Sequence, residues 1–198
     1  MSRDMQPLFW RINEQDRHGL EAISLLMPTD ESSNAALEMP TNIKLYSAGR
    51  QAYPMDLRWS EEDQDLFMCL LERVAGRELE GDIQLDLSDD NIWHLIQLVA
   101  LSRFKTPLSI EQLLGPDINC ERTEVSVGDM VAINALYGYP LAVIVASDSI
   151  DITCVLLEDL VHQAETILPQ YSLLVVNRES ALPAAFAQTA TCEQAVLH

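Results

Sequence analysis

The chain has 198 residues, 48% of them hydrophobic, and a formal net charge of −19 at pH 7. That content supports a packed core and excludes a disordered polymer, and the length is ordinary for one domain. The charge argues against binding a nucleic-acid backbone or an anionic membrane surface, because both need clustered cations and the chain has only two lysines, Lys44 and Lys105.

No run approaches the roughly 18 apolar residues of a membrane-spanning helix. Met1 to Asp30 lacks the order of a signal peptide, since Arg11, Asp16, Arg17 and His18 interrupt its apolar stretch. The expected location is cytoplasmic. Cys69, Cys120, Cys154 and Cys192 form no C-x-x-C pair. This fits a reducing compartment, with Cys69 and Cys154 read as small buried hydrophobes.

Residues 1–40 form a poorly specified N-terminal segment. An apolar run, Leu20 to Met27, stops at Pro28, and a polar loop follows. Asn42 to Ser47 and Met55 to Trp59 read as short strands with Ile43, Leu45 and Leu57 on one face. Ser60 then signals a helix N-terminus, with Asp63 three positions on as the other half of a capping box. Leu66, Leu70 and Val74, with Phe67, Leu71 and Ala75, give the apolar stripe of a helix that ends near Gly76.

Asp82 to Leu87 alternates strictly and predicts a half-buried strand with Asp82 and Asp86 outward. Ser88, Asp89 and Asp90 are candidate caps for a helix to about Arg103 that is apolar nearly all round. Such a helix belongs inside a core or under a partner, so Ile92–Leu101 is a candidate oligomer contact. His94 within it reads as a hydrogen-bonded core histidine. Ser109 and Gln112 open a short helix ending near Gly115.

Val125 to Val127, Met130 to Leu136 and Leu141 to Ala146 read as an antiparallel meander with turns at Gly128-Asp129 and Tyr137-Gly138. Asp151 or Thr153 is then expected to cap a helix over 152–168, carrying Leu156, Leu157, Leu160, Val161, Ala164 and Leu168 on one side. Tyr171 to Val176 reads as a central strand, and residues 180–198 as a weakly structured tail. The fold expected is a single α+β domain over 41–179. Its mostly antiparallel sheet is covered by three main helices near 60–76, 90–103 and 152–168, with one core shared by the middle and last stretches.

The chain has no phosphate loop, no G-x-G-x-x-G, no H-E-x-x-H and no G-x-S-x-G. His18, His94, His162 and His198 have no ligand spacing, so neither a metal nor another cofactor is expected. Asp82, Asp86, Asp89 and Asp90, like Asp148 and Asp151, are accounted for by strand faces and helix caps. Cys120 is the one cysteine in polar surroundings and is a weak candidate nucleophile. Arg122 or His162 would have to lower its pKa against Asp117 and Glu121.

The charge is uneven. Residues 61–90 hold 11 acids against Arg73 and Arg77, and from Thr123 onward nine acids face Arg178 alone. A solvated acidic surface explains this in part. The functional expectation is a non-catalytic acidic protein-binding module: an adaptor, a secretion chaperone or an inhibitor of a basic partner protein. Glu61, Glu62, Asp65, Asp82 and Asp86 are its expected binding residues. The alternatives are a small hydrolase or transferase using Cys120 or the Asp82–Asp90 acids, and a structural subunit of a larger assembly.

Overall fold

In a computed structural model the chain is a mixed α/β protein whose strand pairings, among the described residues, are antiparallel but for one. The structure describes residues 7–27, 36–46, 54–74, 76, 90–118, 120 and 124–187. The expected strand at Asp82–Leu87, the caps Ser88 and Asp89, and Cys192 lie outside the described residues. Where one domain with a shared core was expected, the chain divides into two compact units, Met1–Phe104 and Lys105–His198.

In the first unit, β1 (Phe9–Gln15), β2 (Leu20–Met27), β3 (Leu37–Tyr46) and β4 (Met55–Arg58) form one sheet in the order β3-β2-β1-β4. The segment that was hardest to read thus supplies two central strands. Alternation decides their faces. Trp10 pairs with Leu25 and Ile12 with Ile23, and all four are buried. The intervening Arg11 faces the other way, opposite Asp56, and its Nε and a terminal nitrogen donate to the two carboxylate oxygens at 2.8 and 2.9 Å. This pairing raises the Arg11 pKa and lowers that of Asp56.

Helix α1 (Glu61–Arg73) begins at the expected capping box. Ser60 Oγ accepts from the Asp63 backbone N–H, and the Asp63 carboxylate accepts from the Ser60 backbone N–H. The helix buries Phe67, Leu70 and Leu71. Helix α2 (Asp90–Phe104) packs against α1 and β3. Ile92, Leu95, Ile96, Leu98, Val99 and Leu101 are all buried within the chain. Two of its side chains reach the β3 backbone: Gln97 Oε1 accepts from the Asn42 N–H at 3.0 Å, and Trp93 Nε1 donates to the Pro40 carbonyl at 3.3 Å. The Asn42 contact falls where the β2–β3 register slips, so the amide of Gln97 serves a backbone group that the ladder leaves out. His94 does not join the core. It is exposed, with its ring edge-on to Trp93.

The second unit is a six-stranded sheet made of β5 (Leu108–Ser109), β6 (Met130–Ile133), β7 (Leu141–Ser147), β8 (Asp151–Leu156), β11 (Leu173–Asn177) and β12 (Ala181–Pro183). Its order is β12-β6-β7-β8-β11-β5, and only the β11–β5 pairing is parallel. The strands β9 (Leu160–His162) and β10 (Glu165–Leu168) form a separate hairpin. The meander and its Tyr137-Gly138 turn are as expected, but Val125 to Val127 leads into the Gly128 turn without forming a strand. A 3-10 turn at Glu111–Leu113 stands where a short helix was expected, and its N-cap is Ile110, with no side-chain cap. Ala181–Pro183, from the presumed tail, pairs with β6.

The expected helix over 152–168 is not formed; β8, β9 and β10 occupy those residues. Leucines at three- and four-residue spacing mimic a helical stripe, but Ile152, Cys154 and Leu156 alternate equally well, and all three are buried together. The β-branched Ile152, Thr153 and Val155 suit a strand, and β7 and β11 pair with it on either side. Gln163 and Ala164, at φ 50 and 67°, turn the chain back inside what was read as helix. No long helix therefore forms within the second unit among the described residues. Among the described residues both long α-helices belong to the first unit, and the second has only short helical turns, at Glu111–Leu113, Arg178–Ser180 and 185–187. No helix among the described residues is long and apolar enough to cross a membrane.

Two measurements test these assignments. Leu70 is fully buried, so Leu70→Ala should destabilise the first unit by roughly 2–5 kcal/mol in urea unfolding, and a loss below about 0.5 kcal/mol would place that helix face in solvent. In the second unit, a Cβ on Gly115 would sit 2.7 Å from Asn134 Oδ1 and 3.3 Å from the Ala135 carbonyl oxygen. Asn134 is buried and donates to the Pro116 carbonyl, which restrains its retreat. Gly115→Ala should therefore cost about 1–3 kcal/mol, as overpacking does; an unchanged melting temperature would show that the site yields.

Candidate acidic binding face

Four carboxylates open α1, but they do not act alike. Asp63 turns inward: it is buried, and its Oδ2 accepts from Trp10 Nε1 at 3.2 Å as well as from the Ser60 N–H. Glu61, Glu62 and Asp65 remain exposed. A carboxylate at a helix N-terminus is favoured by the helix dipole and by unpaired N–H groups. Glu62 shows this. A hydrogen bond from the Ser60 side chain, then one from its own backbone N–H, hold its pKa below the ordinary value, and Arg103 adds a weaker attraction. Glu62 therefore stays ionised throughout the neutral range.

Of the five expected binding residues, the structure brings Glu61, Glu62 and Asp65 together in the first turns of α1. Asp82 and Asp86 lie outside the described residues. Asp90 is the first residue of α2 and is exposed. Asp148 caps a turn between strands, not a helix. Its Oδ1 accepts from the N–H groups of Ile150 and Asp151, and these bonds lower its pKa.

Cys120 is half-buried, and its backbone N–H donates to the Ile118 carbonyl at 3.0 Å. Its sequence neighbours Glu121 and Arg122 lie outside the described residues. The ring of His162, its other proposed activator, is stacked on Tyr137 with centroids 4.1 Å apart. Cys154 is buried, and loss of solvation pushes its thiol pKa up to about 12. Cys69, expected to be buried, is half-buried. Among the described residues no three His, Cys, Asp or Glu side chains converge as metal ligands would.

Sequence reasoning did not find the Tyr137–His162 stack. The two residues are far apart in the chain, and no periodicity links them. Comparison of the chain with protein-family models and with curated proteins gives no match.

The thiols give a direct check on this geometry. With a pKa near 12, Cys154 is almost wholly protonated at neutral pH, and only the thiolate is nucleophilic. Iodoacetamide should label it in the native protein no faster than the unfolded state is visited. Labelling of Cys154 at the rate of an exposed thiol would show that β8 is accessible.

Proposed function

We propose that this protein is a non-catalytic acidic module that binds a protein partner with a basic surface, as an adaptor, a secretion chaperone or an inhibitor does. The observation that carries this reading is the exposure of Glu61, Glu62 and Asp65 on a helix whose buried side is anchored by Asp63, Phe67, Leu70 and Leu71. A charge set on a rigid element is presented in one orientation, which is what electrostatic steering needs. In sequence, residues 61–90 carry 11 acids against two bases. Helix-dipole compensation accounts for acids in the first turn but not for the wider surplus.

The reading is tested on the complex with the partner that co-purifies from the protein's own host. Association should slow by about tenfold or more between low and high salt, as in other electrostatically steered encounters. Reversing Glu61, Glu62 and Asp65 to lysine should slow it at low salt, with a lowered melting temperature because the first turn of α1 loses the acids its dipole favours, while the protein stays folded at the assay temperature. An association rate that ignores both salt and the triple substitution would refute the proposal.

A further inference from the structure

The second unit holds an exposed aromatic contact that its core does not use. The β6–β7 turn is closed by reciprocal backbone bonds between Ala135 and Gly138 at 3.1 and 3.3 Å, and the Leu136 N–H donates to the Leu113 carbonyl. This fixes Leu136 and Tyr137 at the surface, 52% and 38% exposed. Tyr137 keeps that exposure although its ring stacks on His162, with centroids 4.1 Å apart and planes 27° apart. In the β9–β10 hairpin Glu165 is the register partner of His162, so the two side chains share a face, and Glu165 is exposed. Tyr137, His162 and Glu165 thus neighbour one another in turn, and the exposed Leu136 precedes Tyr137 in the same turn.

We infer that Leu136, Tyr137, His162 and Glu165 form the contact point for an arginine side chain of the basic partner, which rests on the binding-module reading above. A guanidinium is flat and weakly hydrated, stacks on aromatic rings and matches a carboxylate in two parallel hydrogen bonds; an ammonium does none of this as well. The aliphatic stem of the arginine packs on Leu136.

Charge selects the occupant. The described residues from Lys105 onward carry ten acids against Lys105 and Arg178. Arg178 is already committed, donating to the carbonyls of Asp148 and Val125. A second copy of the chain would bring −19 against −19, whereas a cationic segment is drawn in.

The test uses the full chain labelled with 15N and a short peptide of alternating arginine and leucine, with lysine and citrulline versions of the same peptide. The arginine peptide should shift the amide signals of Leu136, Tyr137, His162 and Glu165. The lysine version should bind about two- to fivefold more weakly, the range expected for an exposed cation–aromatic contact, and the citrulline version more weakly still. Glu165→Gln, at an exposed position, and Tyr137→Ala should each weaken the arginine peptide by a similar factor. Equal binding of the citrulline peptide would overturn the inference, as would shifts confined to α1. Binding that survives Glu165→Gln and Tyr137→Ala but is lost on reversal of Glu61, Glu62 and Asp65 would overturn this site and leave the proposed function standing. A dimer in sedimentation that dissociates in Leu136→Asp would assign the surface to self-association and overturn it too.

Discussion

A single carboxylate oxygen fixes the first unit. Asp63 Oδ2 accepts from the indole of Trp10 on β1 and from the backbone of Ser60 at the start of α1. A buried carboxylate without donors would cost several kcal/mol, so this oxygen holds both elements in place. Trp10 in turn stacks on Trp59 at 4.9 Å and meets Phe104, the last residue of α2, edge-on; Trp59 meets Phe67 of α1 in the same way. The sheet, the beginning of one helix and the end of the other converge there. The orientation of Glu61, Glu62 and Asp65 follows, because a helix whose first turn is tied inward through its third residue presents the first, second and fifth to solvent.

The second unit relies on strand alternation where the first relies on a polar tether. Its central strands are buried on both faces: Ile144 and Cys154 belong to the main core, while the paired Val143 and Val155 are buried on the other side. Such strands read as continuous apolar runs. Polar side chains then serve the ends of the sheet. Asp148 closes the β7–β8 turn, and Glu158 accepts from the Leu141 N–H. Asp159 accepts from the N–H of Gln170. Much of the negative charge in this part of the chain therefore satisfies backbone donors, whereas Glu61, Glu62 and Asp65 stand exposed on the first turns of α1.

Legibility in the sequence followed locality. Helix α1 could be read because its cap, acids and apolar stripe all lie within a few turns and agree. The hairpin from Met130 to Ser147 could be read because its turn carries Gly138 at φ 144°. Residues 152–168 were misread because leucine spacing satisfied two periods at once, and only pairing with β7 and β11 decides between them. β1 was missed because Arg11 and Asn13 interrupt the short alternation of Trp10 and Ile12. At the candidate sites, the acids of α1 were legible one by one, but the inward turn of Asp63 depends on Trp10, 53 positions away. The stack of Tyr137 on His162 likewise has no local signal.

The stacked Trp10 and Trp59 have an optical consequence. The chain has three tryptophans, and with Trp93 all of them lie in Met1–Phe104. Indole emission therefore watches one unit only, and two of its three indoles lie in the aromatic cluster that Asp63 fixes. The second unit has Tyr137, Tyr139 and Tyr171 as its phenol chromophores. Tyr46 and Tyr53 add phenol absorbance to the first unit, so in a denaturation experiment the indole signal is specific to one half while the phenol signal comes from both. Agreement or divergence of the two signals reads out whether they melt as one cooperative body or as two.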